Sequence, residues 1–164
     1  MLRPPFTPFP ELSSDRILLR KHTPADAPHV VDVTFFNHIP AKDETEVLEM
    51  FGKIEERYQR GESIQWAIVD RSTNTIVGNC GYYRGFADEC GEIGYVMKEN
   101  FRRQGFMSEA VKLIVEFGFS QMKLKTVFAT TAPTNLASQT VLRNNAFVAA
   151  GPEENGHLRF NRVR

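Results

Sequence analysis

One stretch of six residues decides the interpretation of this chain: Arg102-Arg103-Gln104-Gly105-Phe106-Met107. It joins a strand-like run that ends at Met97 to a long apolar helix predicted over residues 107–122. The first turn of a helix leaves backbone N–H groups without partners, and the two residues before the glycine are poor helix caps. These free N–H groups and the positive end of the helix dipole suit an anion.

The side chains of the same stretch point to phosphate. Gly105 lets the backbone approach a ligand closely, and Arg102 and Arg103 add charge and donors that match phosphate oxygens. The stretch is not a Walker loop, because no Lys-Ser/Thr follows the glycine, and it lacks the glycines of a dinucleotide fingerprint. The alternative is an ordinary surface loop before a helix, capped by Asn100.

Hydrophobic periodicity around the loop predicts seven strands and four helices. The strands are residues 16–20, 64–69, 76–83, 89–97, 126–131, 147–150 and 158–163. The helices are residues 25–36, 44–60 and 107–122, and a segment capped by Thr134 or Asn135 that runs to residue 144. The order predicts a single α/β (α+β) domain over residues 1–164, in which a mixed, mostly antiparallel sheet of about seven strands carries four helices on its faces.

Composition excludes several classes of protein. The chain has 20 Lys and Arg against 20 Asp and Glu, and zero net charge argues against a nucleic-acid binder. No apolar run is long enough for a membrane span, and the N-terminus lacks the apolar segment of a signal peptide. Cys80, Cys90 and the four histidines show no metal-ligand spacing. We therefore expect a cytoplasmic protein without a metal, either a monomer or a homodimer.

The loop resembles the Arg/Gln-x-x-Gly-x-Gly/Ala motif of the GNAT superfamily of acetyltransferases. Residues 105–110, Gly-Phe-Met-Ser-Glu-Ala, resemble the branch that contains the ribosomal-protein N-terminal (alanine/serine) acetyltransferases. Three further stretches resemble the family in the same order: the opening strand and helix at 15–27, the fourth strand at 92–95, and the late Asn-x-x-Ser helix at 135–141. Met107 and Ala146 depart from the family, which usually has Gly or Ala at the first position and Gly at the second.

The resemblance implies a splayed sheet in which acetyl-CoA lies between the fourth and fifth strands. The residues implied to bind it are Tyr95, Val96, Met97, Arg102, Arg103, Gln104, Gly105, Phe106, Met107, Asn135 and Ser138. Backbone groups of the first three would hold the pantetheine arm, and one N–H would polarise the thioester carbonyl. Asn135 would bind the cofactor, cap its helix, or do both.

Acetyl transfer to an amine requires a neutral amine, a polarised carbonyl and a protonated leaving thiolate. Glu92 is the candidate base, acting through water. The alternative interpretation of Glu92 is a solvated carboxylate on a half-exposed strand. Ser138 is the candidate donor to the thiolate. The alternative interpretation of Ser138 is a plain hydroxyl in the first turn of a helix. Tyr82 and Tyr83 are further candidate acids, although aromatic residues on strands usually belong to the core.

These residues predict an acetyl-CoA-dependent N-acetyltransferase that moves the acetyl group directly to a primary amine in a ternary complex. The acceptor is a protein N-terminus or a small-molecule amine. The alternative from another class is a non-catalytic CoA-binding or regulatory module with the same fold.

Overall fold

The structure, a computed structural model that describes residues 1–164, contains ten strands. They are β1 Leu12–Ser13, β2 Ile17–Arg20, β3 Phe35–Phe36, β4 Ile39–Pro40, β5 Ile64–Asp70, β6 Thr75–Tyr82, β7 Cys90–Met97, β8 Thr126–Thr131, β9 Val148–Pro152 and β10 Leu158–Val163. Eight of them form one sheet in the order β1-β2-β5-β6-β7-β8-β10-β9, and β3 and β4 form a separate hairpin. Within the large sheet only β7 and β8 are parallel. The predicted mixed sheet is confirmed, and β1 is the strand that the sequence did not predict in it.

Three α-helices pack on the sheet: α1 Glu44–Gln59, α2 Phe106–Ser120 and α3 Leu136–Asn144. They match three of the four predicted helices. The fourth, predicted over residues 25–36, is helical only in short 3-10 segments, Pro24–His29 and Val31–Val33, before the chain enters β3. Pro28 lacks a backbone N–H, and the β-branched valines that follow it disfavour an α-helix.

Different helices cover the two faces of the sheet, because side chains alternate along each strand. On β5, Trp66 and Ile68 pack in the core with α2, whereas Ala67 and Val69 pack in a smaller core with α1. The indole N–H of fully buried Trp66 donates to the Pro10 carbonyl at 2.7 Å, so this large side chain leaves no donor unpaired. The central strands are largely apolar on both faces, apart from buried polar residues such as Gln65 on β5 and Asn79 on β6.

Candidate active site

The sheet opens between β7 and β8. These strands pair only from Cys90 with Thr126 to Glu92 with Phe128, although β7 continues to Met97. Beyond Glu92, β7 keeps only β6 as a neighbour, so one side of its backbone faces a gap. We call this gap, bounded by the second half of β7, by β8 and by the first turn of α3, the cleft.

Backbone hydrogen bonds show which groups of β7 face the cleft. The N–H of Lys98, just past the strand, donates to a β6 carbonyl at 2.9 Å, and the Glu92 carbonyl accepts at 3.1 Å from the residue that follows β6. Even-numbered residues therefore bond toward β6, and the backbone groups of Tyr95 and Met97 face the cleft. Those of Val96 point toward β6, so this geometry does not support the backbone role predicted for Val96.

The loop between β7 and α2 presents a row of unpaired backbone donors. Gly105 precedes the first turn of α2 with φ of +86°, and no side chain caps this helix. None of the N–H groups of residues 103–108 donates a hydrogen bond within the chain. Asn100 is not the cap, because Gly105 occupies the cap position. The Asn100 carbonyl accepts from Nε2 of Gln104 at 2.9 Å. A row of free N–H groups at a helix N-terminus is suited to phosphate.

The side chain of Arg16, the residue before β2, contacts this loop. Its Nη2 donates to the Gln104 carbonyl at 2.9 Å, and its guanidinium carbon lies 4.6 Å from the ring centre of Phe106. Arg102 and Arg103 are exposed, and neither forms an ion pair with a carboxylate within the chain. Their charges are therefore available to an anionic ligand.

The first turn of α3 brings two hydroxyl groups together at the cleft. Oγ of Ser138 lies 2.8 Å from Oη of Tyr95, in hydrogen-bond contact across the opening. Burial raises the pKa of Tyr95 to about 12, and the hydrogen bond to Ser138 acts in the opposite direction. The Tyr95 hydroxyl is therefore protonated at neutral pH and can donate a hydrogen bond to Ser138.

Asn135 is the cap of α3. Its Oδ1 accepts from the Ser138 N–H at 3.0 Å, its own N–H donates to Ala132, and its carbonyl accepts from Gln139. The backbone of Asn135 is thus fully used within the chain. Only its amide Nδ2 remains free to donate to a ligand.

Glu92 lies where β7 and β8 separate. Its Oε1 accepts from Oγ1 of Thr130 at 3.2 Å, and both carboxylate oxygens lie 3.3 Å from Nη1 of Arg84. The Glu92 side chain is 13% exposed, so it is largely buried yet still reaches solvent. Oε2 has no partner besides Arg84, which leaves it able to accept a hydrogen bond from a bound amine or water.

A cavity of about 280 Å³ opens beside Glu92, between the sheet and the β3–β4 hairpin. Tyr83 lines this cavity, and burial raises the pKa of its hydroxyl well above the usual range. Tyr82 lies on the other face of the sheet, where its hydroxyl donates to the Ile114 carbonyl of α2 at 2.9 Å. Of the two tyrosines considered as acids, only Tyr83 therefore reaches the site.

Other types of site find no support in the side chains. No three His, Cys, Asp or Glu residues come close enough together to hold a metal ion. Cys80 and Cys90 form no disulfide. No helix combines the length and the apolar character needed to cross a bilayer.

Comparison with known proteins matches residues 16–148 to the family model described as acetyltransferase (GNAT) domain. The chain belongs to the GNAT acetyltransferase family. Among curated relatives, the uncharacterised N-acetyltransferase YoaA from Bacillus subtilis is 29% identical over 151 residues, which cover 87% of this chain and 85% of YoaA. YnaD from the same organism, also an uncharacterised N-acetyltransferase, is 32% identical over 79 residues, about half of either chain. The family match and these relatives support the interpretation of this chain as an acyltransferase enzyme.

Solved structures of GNAT proteins share this fold at low sequence identity. RimJ from Mycobacterium smegmatis, in complex with CoA-disulfide, superposes with a TM-score of 0.81 at 17% identity and covers 94% of this chain and 87% of that one. The ribosomal L7/L12 α-N-protein acetyltransferase RimL, in complex with coenzyme A, gives 0.80 at 18% identity, with 92% and 95% covered.

The structure explains both departures from the GNAT pattern. The Met107 side chain is buried in the main core, so it does not obstruct the loop whose backbone it shares. Ala146 follows the end of α3 with φ of +59°, and the next residue, Phe147, donates back to the Leu142 carbonyl at 3.1 Å. This helix ending favours glycine, which explains the family preference, and alanine adopts the same conformation with strain.

The cleft and the loop bring together most of the predicted GNAT site. Glu92 and the Tyr95–Ser138 pair lie at the cleft, and Nε of Arg102 contacts the Met97 carbonyl at 3.4 Å, which links the loop to the strand. The sequence did not predict that the Tyr95 hydroxyl lies at the site, or that basic side chains line the cavity. Their positions depend on the register of β7 and on the β3–β4 hairpin, neither of which has a local motif.

Proposed function

We propose that this chain binds acetyl-CoA in the cleft and transfers the acetyl group directly to a primary amine. The observation that carries the proposal is the row of unpaired N–H groups at residues 103–108, next to the β7 backbone that β8 leaves unpaired. Such donors in a folded protein are normally satisfied by a ligand or water. RimL and RimJ, which share this fold, were solved in complex with CoA species, and this supports the choice of ligand.

The residues of the chain fit the parts of acetyl-CoA in order along the cleft. The N–H groups of residues 103–108 and the charges of Arg102 and Arg103 would hold the phosphates. The backbone groups of Tyr95 and Met97 would hydrogen-bond to the pantetheine amides, as one strand bonds to another. Nδ2 of Asn135 would add a donor on the opposite side of the cleft.

Glu92 would act as the base for the acceptor amine. Its free acceptor position on Oε2 would take the amine proton, directly or through one water, as the amine nitrogen forms its bond to the acetyl carbon. A cleft-facing N–H of β7 would stabilise the developing oxyanion.

Ser138 and Tyr95 would supply the proton that the leaving thiolate needs when the carbon–sulfur bond breaks. Ser138 would donate its proton to sulfur and take the proton of the Tyr95 hydroxyl. Tyr95 would then regain a proton from solvent while Glu92 releases the amine proton to solvent. In this scheme Tyr95 contributes both its backbone and its side chain, and the amine, thiolate and carboxylate charges balance within one ternary complex.

The experiment is a thiol-release assay with acetyl-CoA and a panel of primary amines that includes short peptides with free N-termini. Release that depends on an amine, with initial rates that fit a ternary complex rather than an acetylated enzyme, would support the proposal. Tight CoA binding without amine-dependent release from any acceptor would instead favour the non-catalytic CoA-binding module.

A further inference from the structure

The cavity beside Glu92 has an excess of positive charge. Arg57 from α1, Arg84 after β6 and His38 from the β3–β4 turn line it, and Glu92 is its only carboxylate. Nη2 of Arg84 contacts Nε2 of His38, and because a guanidinium can only donate, His38 is the acceptor and adds no charge of its own. The two groups form one cluster at the hairpin, and its charge is that of the arginine. An amine acceptor that entered as a plain cation would meet repulsion from this cluster.

Arg57 has no structural partner that accounts for its charge. Its guanidinium carbon lies 4.8 Å from the ring centre of Phe36, yet it forms no ion pair and donates no side-chain hydrogen bond within the chain. Arg60, which follows the last residue of α1, pairs with Glu62 at 3.3 Å. Arginines at protein sites that recognise carboxylate or phosphate are held by stacking in this way, with the donor edge left open.

The floor of the cavity carries a second unpartnered polar group. Gln65 on β5 is 9% exposed, lines the cavity, and makes no side-chain hydrogen bond within the chain. The Gln65 amide still reaches solvent, because the only fully buried side-chain atoms without a hydrogen-bond partner are Nδ1 of His22 and Oγ of Ser63. A ligand oxygen in the cavity can therefore replace water at this amide. Because Gln65 is uncharged, it can donate to a ligand oxygen while the arginines supply the charge.

We infer that the acceptor is a small amine that carries its own anionic group, a carboxylate or a phosphate. Arg57 and the free donors of Arg84 bind the anionic group, the Gln65 amide donates to it, and the amine lies at Glu92. The two guanidinium groups also disfavour a protonated amine, which helps the acceptor lose its proton. The inference rests on the proposed function for the identity of the reacting amine, whereas anion binding in the cavity stands without it.

The test compares matched amines that differ in one anionic group: 4-aminobutanoate with butylamine, and phosphoethanolamine with ethanolamine. Binding to the CoA-loaded protein is measured by calorimetry, and kcat/KM by thiol release from acetyl-CoA. At least one member with an anionic group should bind roughly 10- to 100-fold more tightly than the matched amine that lacks it, the range of a charge-assisted hydrogen bond. The two pairs distinguish a carboxylate site from a phosphate site.

Arg57→Gln should reduce this preference at least tenfold, and Arg57→Lys should restore part of it. Arg60→Gln is the matched control at the end of the same helix and should leave the preference unchanged, with melting curves confirming that each variant folds. Equal binding of both members of both pairs, or an unchanged preference in Arg57→Gln, would overturn the inference. Selective binding without turnover of any amine would support the anion site and count against the proposed function alone.

Discussion

Replacing Gly105 with alanine should weaken acetyl-CoA binding far more than it weakens the fold. Gly105 has φ of +86°, and holding an L-residue in the left-handed region costs roughly 1–2 kcal/mol. An added Cβ would approach only Nη1 of Arg16, at 3.3 Å, which is the end of a flexible side chain and can move aside. Backbone strain therefore sets the size of the effect.

The strain should appear in the affinity because the free loop can relax. Its N–H groups form no hydrogen bond within the chain, and the bonds that hold it run to the Gln104 and Gly105 carbonyls, from Arg16 and from the Glu109 N–H. We expect exchange of those few bonds with water to let the variant leave the strained conformation until the ligand requires it. Recovering the conformation should then reduce affinity roughly 5- to 30-fold, the factor that corresponds to 1–2 kcal/mol. The free energy of unfolding should change by less than about 0.5 kcal/mol, as for other exposed positions.

The assay is calorimetric titration of acetyl-CoA, together with urea unfolding of the same preparations. Gly156→Ala is the control, because Gly156 has a similar φ of +82° and open space around it but lies in the β9–β10 turn. Wild-type affinity in Gly105→Ala would refute the assignment of the loop, as would an equal loss of affinity in Gly156→Ala.

Three further predictions concern catalysis and stability. Glu92→Gln should lower kcat by a factor of roughly 10²–10⁴, leave CoA affinity nearly unchanged, and remove the acidic limb of the pH–rate profile. Ser138→Ala should lower kcat less and keep that limb. A wild-type pH–rate profile in Glu92→Gln would exclude Glu92 as the base. Ala146→Gly should raise the free energy of unfolding by about 0.5–1 kcal/mol, because the relief of left-handed strain exceeds the added freedom of the unfolded chain, and an unchanged urea midpoint would contradict the strain. Burial lowers the pKa of His22 to about 4, below its unfolded value of 6.5. The free energy of unfolding should therefore have its full value above pH 6.5 and fall by up to about 3 kcal/mol as the pH drops toward 4, because only the unfolded chain takes up the proton in that range. His22→Phe should flatten that dependence, and an equally steep loss in this variant would assign it to other groups.

The sequence predicted best where one local pattern controls the structure. The apolar spacing of α1 and α2 and the alternation along β5 to β7 fixed their bounds to within a few residues. Gly105 was singled out for the close backbone approach to a ligand that it allows, and in the structure it has φ of +86°, a conformation that favours glycine. The prediction over residues 25–36 came from a good helix start at Thr23-Pro24, but Pro28 and the valines that follow leave only the 3-10 segments Pro24–His29 and Val31–Val33.

The sequence predicted least where contacts join distant segments. Tyr95 was expected to contribute only its backbone, because nothing near it in sequence indicates that its hydroxyl meets Ser138, 43 residues away. The partnership of Arg84 with Glu92, and the open guanidinium of Arg57 beside Phe36, require the three-dimensional packing of α1 against the β3–β4 hairpin. The β3–β4 turn, where His38 has φ of +68°, lacks the glycine that usually marks such turns.

The central claim, that acetyl-CoA binds in the cleft of the native protein, is tested most directly by thermal unfolding of the wild-type chain in a titration with acetyl-CoA. A ligand that binds only the folded state adds about 2.7 kcal/mol at a hundredfold excess over Kd, or roughly 5–11 °C in melting temperature for a domain of this size. We expect a rise of that size, with a smaller rise for Gly105→Ala at the same concentration. A melting temperature that stays constant up to millimolar acetyl-CoA would contradict the claim.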